Sequence, residues 1–130
     1  MAKFSKRSHS ILCSADPRLQ DLFIEVVATF DCKVLEAYRT NAQQDKLFHS
    51  GKSKLKGGEG KHNKVPSEAV DIAPYPIDWN DRERMTYFAG FVMGVAAKRG
   101  LKLRWGGDWN GDWEVKDNVF DDLVHFELDE

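Results

Sequence analysis

The chain has 130 residues, which bounds it to one domain, and its 42% hydrophobic and 12% aromatic content is enough to bury a core. A net charge of −2 gives no general drive toward nucleic acid or an anionic membrane. No apolar run is long enough to span a bilayer, and the opening Met1-Ala2-Lys3-Phe4-Ser5-Lys6-Arg7 lacks the apolar stretch of a secretory signal. The expectation is a protein made in a reducing cytoplasm, with Cys13 and Cys32 as free thiols in or near the core.

In chain order, residues 1–9 are basic and polar and read as loose. Asp16-Pro17 places an N-cap before the first helical position, and Leu19, Leu22, Phe23, Val26, Val27 and Phe30 recur at helical spacing, predicting a helix over 17–30. Residues 33–38 are β-prone and predict a strand ending at Arg39. Thr40 or Asn41 caps a second helix over 42–49, which Gly51 ends. Residues 51–67 are rich in Lys, Gly and Ser and read as a long loop of the kind that often carries function. Ala69-Val70-Asp71-Ile72-Ala73 predicts a short buried strand, closed by Pro74 and Pro76. Asp78 or Asn80 opens a long helix over 81–99, with Met85, Phe88, Phe91, Val92 and Val95 toward the core and Gly100 at its end. Strands over 101–105 and 123–128 flank an acidic, Trp-rich loop over 106–117. Helices and strands interleave without clear βαβ units, so the fold class is α+β.

Charge is uneven along this frame. Lys52, Lys54, Lys56, Lys61 and Lys64 surround His62, either as a solvated loop or as a rim that attracts a polyanion. Two histidines and an aspartate, His62, Asp71 and His125, have the donor types of a zinc centre with an open fourth position. Asp71 lies between Val70 and Ile72, where a buried carboxylate is costly unless paired or metal-bound. Taken singly, Asp71 is equally a carboxylate satisfied by backbone donors or an arginine, and His125 a hydrogen-bonded core histidine. Asp122 stands three residues before His125, and Glu127 two after it. No His-Glu-x-x-His helix is present, which excludes the common helical zinc-protease pattern.

These segments resemble a family. The resemblance runs through Phe4-Ser5-Lys6-Arg7-Ser8, Asp16-Pro17-Arg18-Leu19, Glu36-Ala37-Tyr38-Arg39-Thr40 with Gln43 or Gln44, and His62. It continues through Ala69-Val70-Asp71-Ile72-Ala73-Pro74-Tyr75, Ile77-Asp78-Trp79, Leu103-Arg104-Trp105-Gly106-Gly107-Asp108-Trp109 and Asp122-Leu123-Val124-His125-Phe126-Glu127-Leu128. The chain is similar to the phage and bacterial L-alanyl-D-glutamate peptidases of the zinc-dependent M15 group, relatives of the D-alanyl-D-alanine carboxypeptidases. That resemblance implies a hedgehog-type fold, a small antiparallel sheet packed with helices and a zinc site at the sheet. It implies His62, Asp71 and His125 as zinc ligands and Asp122 as general base. It also implies Arg39 as the residue that binds a substrate carboxylate or polarises the carbonyl, against the simpler reading of a salt bridge at a strand end. Glu127 either orients His125 or faces solvent. The spacing of nine from His62 to Asp71 is longer than the family's, and an insertion within 63–66 accounts for it, in a loop where insertions cost little. His49 is the other histidine nearby, in a helix that reads as structural.

The activity implied is hydrolysis of the L-alanyl-D-glutamate bond of peptidoglycan stem peptides by a monomeric endolysin. It is held in the host cytoplasm, inserts in no membrane and reaches the wall through a holin-type lesion. The alternatives are a D-alanyl-D-alanine carboxypeptidase with the same site and a non-catalytic zinc-stabilised wall-binding module; Asp122 speaks only against the module, since a pure binder needs no carboxylate beside an open zinc position. Trp109 and Trp113 are candidates for a cleft wall, while Trp105 reads as core. Asp108, Asn110 and Asp112 fall at alternate positions like the first half of a calcium loop, with Val119 where the closing Glu belongs. Some phage relatives respond to calcium, so the expectation is either a regulatory calcium site or a solvated acidic turn.

Overall fold

The computed structural model describes residues 2–53, 56–58, 60–116 and 121–130. Lys54 of the basic run, Asp117 at the end of the acidic loop and Val119 lie outside the described residues. Four helices, α1 (Lys6–Leu12), α2 (Pro17–Thr29), α3 (Asn41–His49) and α4 (Arg82–Lys98), interleave with four strands. The strands are β1 (Cys32–Glu36), β2 (Ala69–Pro74), β3 (Leu103–Gly106) and β4 (Asp122–Leu128). They form one sheet in the order β1-β2-β4-β3, with every neighbouring pair antiparallel. The α+β expectation holds.

The helix ends follow the side chains that can satisfy orphan N–H groups. Asp16 caps α2, with Pro17 in its first turn. Thr40 and Gln43 form a reciprocal capping box on α3. Asp81 caps α4, rather than Asp78 or Asn80: its side chain accepts from Arg84 N. Gly100 follows α4 at φ +71°, where a side chain would be strained.

Residues 6–12 are helical where the sequence reads as loose. Ser5 caps α1 by accepting from Ser8 N. Ser8, itself buried, accepts from Val34 N, and Ser14 accepts from Tyr38 N. Ser8 thereby satisfies an N–H of edge strand β1, which a helix with little apolar periodicity covers, and Ser14 does the same just beyond the strand. Cys32 is buried and Cys13 exposed, so only one matches the core expectation; both are free. Burial, with Asp31 nearby, pushes the Cys32 thiol up to about 12.

The core sits on one face of the sheet. Val34, Val70, Ile72, Phe126 and Leu128 pack with Leu19, Leu22, Phe23 and Val26 of α2 and Phe88, Ala89, Val92 and Ala96 of α4. Phe126 meets Phe23 and Phe88 edge-on, at centroid distances of 5.5 and 6.1 Å. Because successive side chains alternate faces, seating Val70, Ile72, Phe126 and Leu128 in the core turns Asp71, His125 and Glu127 to the other face.

Candidate metal centre

Register brings that second face together. Asp71 pairs with His125 across β2 and β4, so their side chains stand side by side, as directly opposed residues do. Glu36 pairs with Asp71 on the other flank. His62 arrives from a different element, the 3₁₀ turn Lys61–Asn63. That turn is fastened to residues 37–39: Arg39 N donates to His62 O at 2.8 Å, and Asn63 Nδ2 donates to Arg39 O at 2.8 Å. Ser67, fully buried, donates to Ala37 O at 3.0 Å and secures the same seam.

His62 Nε2 lies 3.2 Å from Asp71 Oδ1, and His125 Nδ1 lies 3.4 Å from the same oxygen. One ligand atom from each residue falls within 4.8 Å of the others, the only such group among the described residues. A tetrahedral zinc with bonds near 2.0–2.1 Å sets its ligand atoms about 3.3 Å apart, close to both spacings.

Hydrogen bonding at the far side of each ring fixes what faces the middle. His62 Nδ1 lies 2.6 Å from Ala37 O, and a carbonyl oxygen only accepts, so Nδ1 carries the hydrogen. His125 Nε2 donates in the same way to Glu127 Oε1 at 2.8 Å. The remaining ring nitrogens, His62 Nε2 and His125 Nδ1, point their lone pairs at a carboxylate. Three acceptors converge, and a cation must sit among them, either a proton or a metal ion.

The electrostatics agree. Burial pushes against a charge on Asp71, but the two imidazoles outweigh it and hold the carboxyl well below the usual range. Burial likewise works against a charge on His125, yet Asp71 and Glu127 raise it to about 9. Asp122 is raised, first by burial and then by the Asp71 charge. Its Oδ2 lies 4.0 Å from His125 Nδ1 and its side chain is 41% exposed, so it borders the centre from the solvent side. Gly106, paired with Asp122, permits this approach, since a Cβ there would fall 2.0 Å from Asp122 O.

Arg39 is more committed than the sequence implies. Its guanidinium donates to both oxygens of Glu36, at 2.8 and 3.1 Å, and to Gln44 Oε1 at 2.7 Å. It also lies 3.7 Å from Asp71 Oδ2. The salt bridge at a strand end is therefore present, and it buttresses a residue of the centre. Glu127 is buried, not turned to solvent. Trp109 stands over His125, with ring centroids 5.3 Å apart. Trp105 is buried, and its indole N–H donates to Leu123 O. Trp113 is 68% exposed at φ +67° and lines a groove of about 580 Å³ with Trp109 and Met93.

Other expectations change. The calcium reading gains no support. Asp108 Oδ2 accepts from Trp113 N, Asp112 N donates to Asn110 Oδ1, and Asp112 Oδ1 accepts from Glu114 N. These atoms bind their own turn, while the buried Asp108 Oδ1 has no hydrogen-bond partner among the described residues. His49, exposed at the end of α3, is not part of the centre. In the basic run, Lys52, Lys56 and Lys64 are exposed but Lys61 turns inward. Sequence reasoning missed Ala37, whose carbonyl sets the His62 tautomer, and no side-chain signal could reveal it. It also missed Glu36, Ser67 and Asn63; the polar side chains of Ser67 and Asn63 beside His62 were the available hint.

Comparison with known proteins gives the family and the fold. Residues 1–129 match the family described as phage L-alanyl-D-glutamate peptidase. The L-alanyl-D-glutamate peptidase of Escherichia phage T5 is 33% identical over 123 residues, covering 90% of this chain and 88% of that protein. Among solved structures, the L-Ala D-Glu endopeptidase ChiX of Serratia marcescens superposes with a TM-score of 0.75 at 24% identity, covering 98% of this chain and 90% of that one. The vancomycin-resistance D,D-pentapeptidase VanY, solved in complex with Zn(II), gives 0.52 at 18% identity, covering 86% and 68%. Both structures share the fold.

Proposed function

The chain belongs to the phage L-alanyl-D-glutamate peptidase family, and from that premise we propose a zinc enzyme whose ligands are His62 Nε2, Asp71 Oδ1 and His125 Nδ1. It is an L-alanyl-D-glutamate peptidase acting on peptidoglycan. The observation that carries the zinc reading is the convergence of two imidazole nitrogens on one part-buried carboxylate. Bound there, zinc supplies Lewis-acid polarisation of the scissile carbonyl and lowers the pKa of a water.

The chain's own groups supply the rest. Asp122 takes a proton from the attacking water, whose oxygen bonds to the carbonyl carbon of L-alanine. As the C–N bond breaks, Asp122 returns that proton to the nitrogen of D-glutamate. Its raised pKa suits a group that must both accept and release a proton. Ala37 O and Glu127 hold the two imidazoles in the tautomers that ligation needs. Arg39, clamped by Glu36 and Gln44, steadies Asp71 and presents positive charge beside the carbonyl. Trp109 walls the centre beside His125, whereas Trp113 lines a groove against α4 that includes none of the three ligands.

The setting we infer is a monomeric endolysin of the host cytoplasm that reaches the wall through a holin-type lesion. Among the described residues, no helix is long and apolar enough to cross a membrane.

Mass spectrometry of soluble murein fragments tests the chemistry, with zinc content measured in parallel. Wild-type protein releases stem peptides bearing a free N-terminal D-glutamate. Asp122→Asn keeps its zinc and loses about 10²–10⁴-fold in kcat. Undiminished turnover by that variant sinks the general-base assignment.

A further inference from the structure

Lys61 immediately precedes His62, yet its side chain runs behind the centre. Its ammonium lies 3.8 Å from Glu127 Oε2 and donates a hydrogen bond to Leu128 O. Both acceptors belong to β4, the strand that carries His125. The other oxygen of Glu127 receives His125 Nε2–H. One lysine thus joins the turn bearing the first histidine to the carboxylate that orients the second.

The pair is unlike a surface ion pair. Lys61 is 25% exposed and Glu127 11%, so water screens this pair less than it would one on the open surface. Arg104 approaches the same Oε2 at 3.9 Å, but it is 38% exposed and also donates to Asp129 at 2.7 Å. Glu127 is held at Oε1 by the His125 hydrogen bond and approached at Oε2 by Lys61, and that placement aims His125 Nδ1 at Asp71.

We propose that Lys61 is a positioning residue of the metal centre, acting through Glu127 to set the separation and angle of His62 and His125. This rests on the reading of His62, Asp71 and His125 as a zinc site.

The test is zinc affinity of the full chain, measured by competition with a chromophoric chelator. The proteins compared are wild type, Lys61→Met, Lys61→Arg, Glu127→Gln and the Lys61→Met/Glu127→Gln double variant. Lys61→Met weakens zinc binding about 10–100-fold, as loss of a partner behind a ligand does. Lys61→Arg restores most of that loss. In the Glu127→Gln background, Lys61→Met costs less than about threefold more, because residues acting as a unit are not additive. A merely structural lysine would lower thermal stability while leaving zinc affinity unchanged, and that result overturns the proposal. So does a full multiplicative loss in the double variant. A wild type that binds no zinc overturns the centre and Lys61's role together, whereas equal affinities overturn Lys61's role alone. Should Lys61→Met not fold, Lys61→Gln, which keeps a donor toward Leu128 O, carries the same comparison.

Discussion

Asp71 and Asp108 are both part-buried aspartates flanked by apolar and aromatic residues, but their carboxylates meet different partners. Asp71 lies in a strand whose backbone is paired on both sides, by β1 and by β4. Its oxygens are left to side chains from distant segments, His62, His125 and Arg39. Asp108 lies in a turn joined to the sheet by a single bridge to Trp105; its Oδ2 accepts from Trp113 N five residues on, and its buried Oδ1 has no hydrogen-bond partner among the described residues. Asn110 and Asp112 are spent the same way. A loop rich in carboxylate and amide oxygens spends many of them on its own N–H groups, because such local hydrogen bonds cost the least order. A strand cannot do this, so its polar side chains are available to one another and to a cation.

The sharpest way to break this contrast is to delete each carboxylate. Asp71→Ala empties the zinc site and lowers murein turnover at least about 10³-fold, since ligand and transition-state charge are lost together. Asp108→Ala leaves zinc stoichiometry at the wild-type value. Metal analysis of the two purified variants decides it, and zinc lost from Asp108→Ala, or kept by Asp71→Ala, would reverse the assignment.

A second test concerns the proton that competes with the metal. With His125 raised to about 9 and Asp71 lowered, zinc must displace a proton to bind. Apparent affinity therefore falls by up to about tenfold per pH unit as pH drops below that value. Chelator competition at several pH values measures the slope, and a flat profile between about pH 6 and 8 would mean that no proton is held there before zinc.

The smallest effect belongs to the acidic turn. Asp112→Ala removes the turn hydrogen bonds from Glu114 N and Asn110 Nδ2 at an exposed site and costs less than about 1 kcal/mol. Millimolar calcium leaves the melting temperature of the wild type unchanged, since only a ligand that binds the folded state raises it. A calcium-dependent rise in Tm would restore the regulatory reading.

Much of the fold is legible because its signals are local. The Asp16-Pro17 start of α2 and the Thr40 cap of α3 need only neighbouring residues to be recognised. Helix α1 is not legible, for its support is the buried hydroxyl of Ser8 against Val34 N, a contact set by packing. In the site, the alternation Val70-Asp71-Ile72 and Val124-His125-Phe126 shows that Asp71 and His125 each oppose a core-facing neighbour. The inward turn of Lys61 carries no such mark, since a lysine in a basic loop reads as solvated.

The sequence by itself determined which residues could hold a cation and which face of each strand they occupy, because period-two alternation ties the polar face to the apolar one. The tertiary structure decided that they meet. Pairing Asp71 with His125 depends on the register of two strands far apart in the chain, which the shared core around Phe126 enforces. Only that pairing, with Ala37 O and Glu127 behind the rings, turns two histidines and an aspartate into three converging lone pairs.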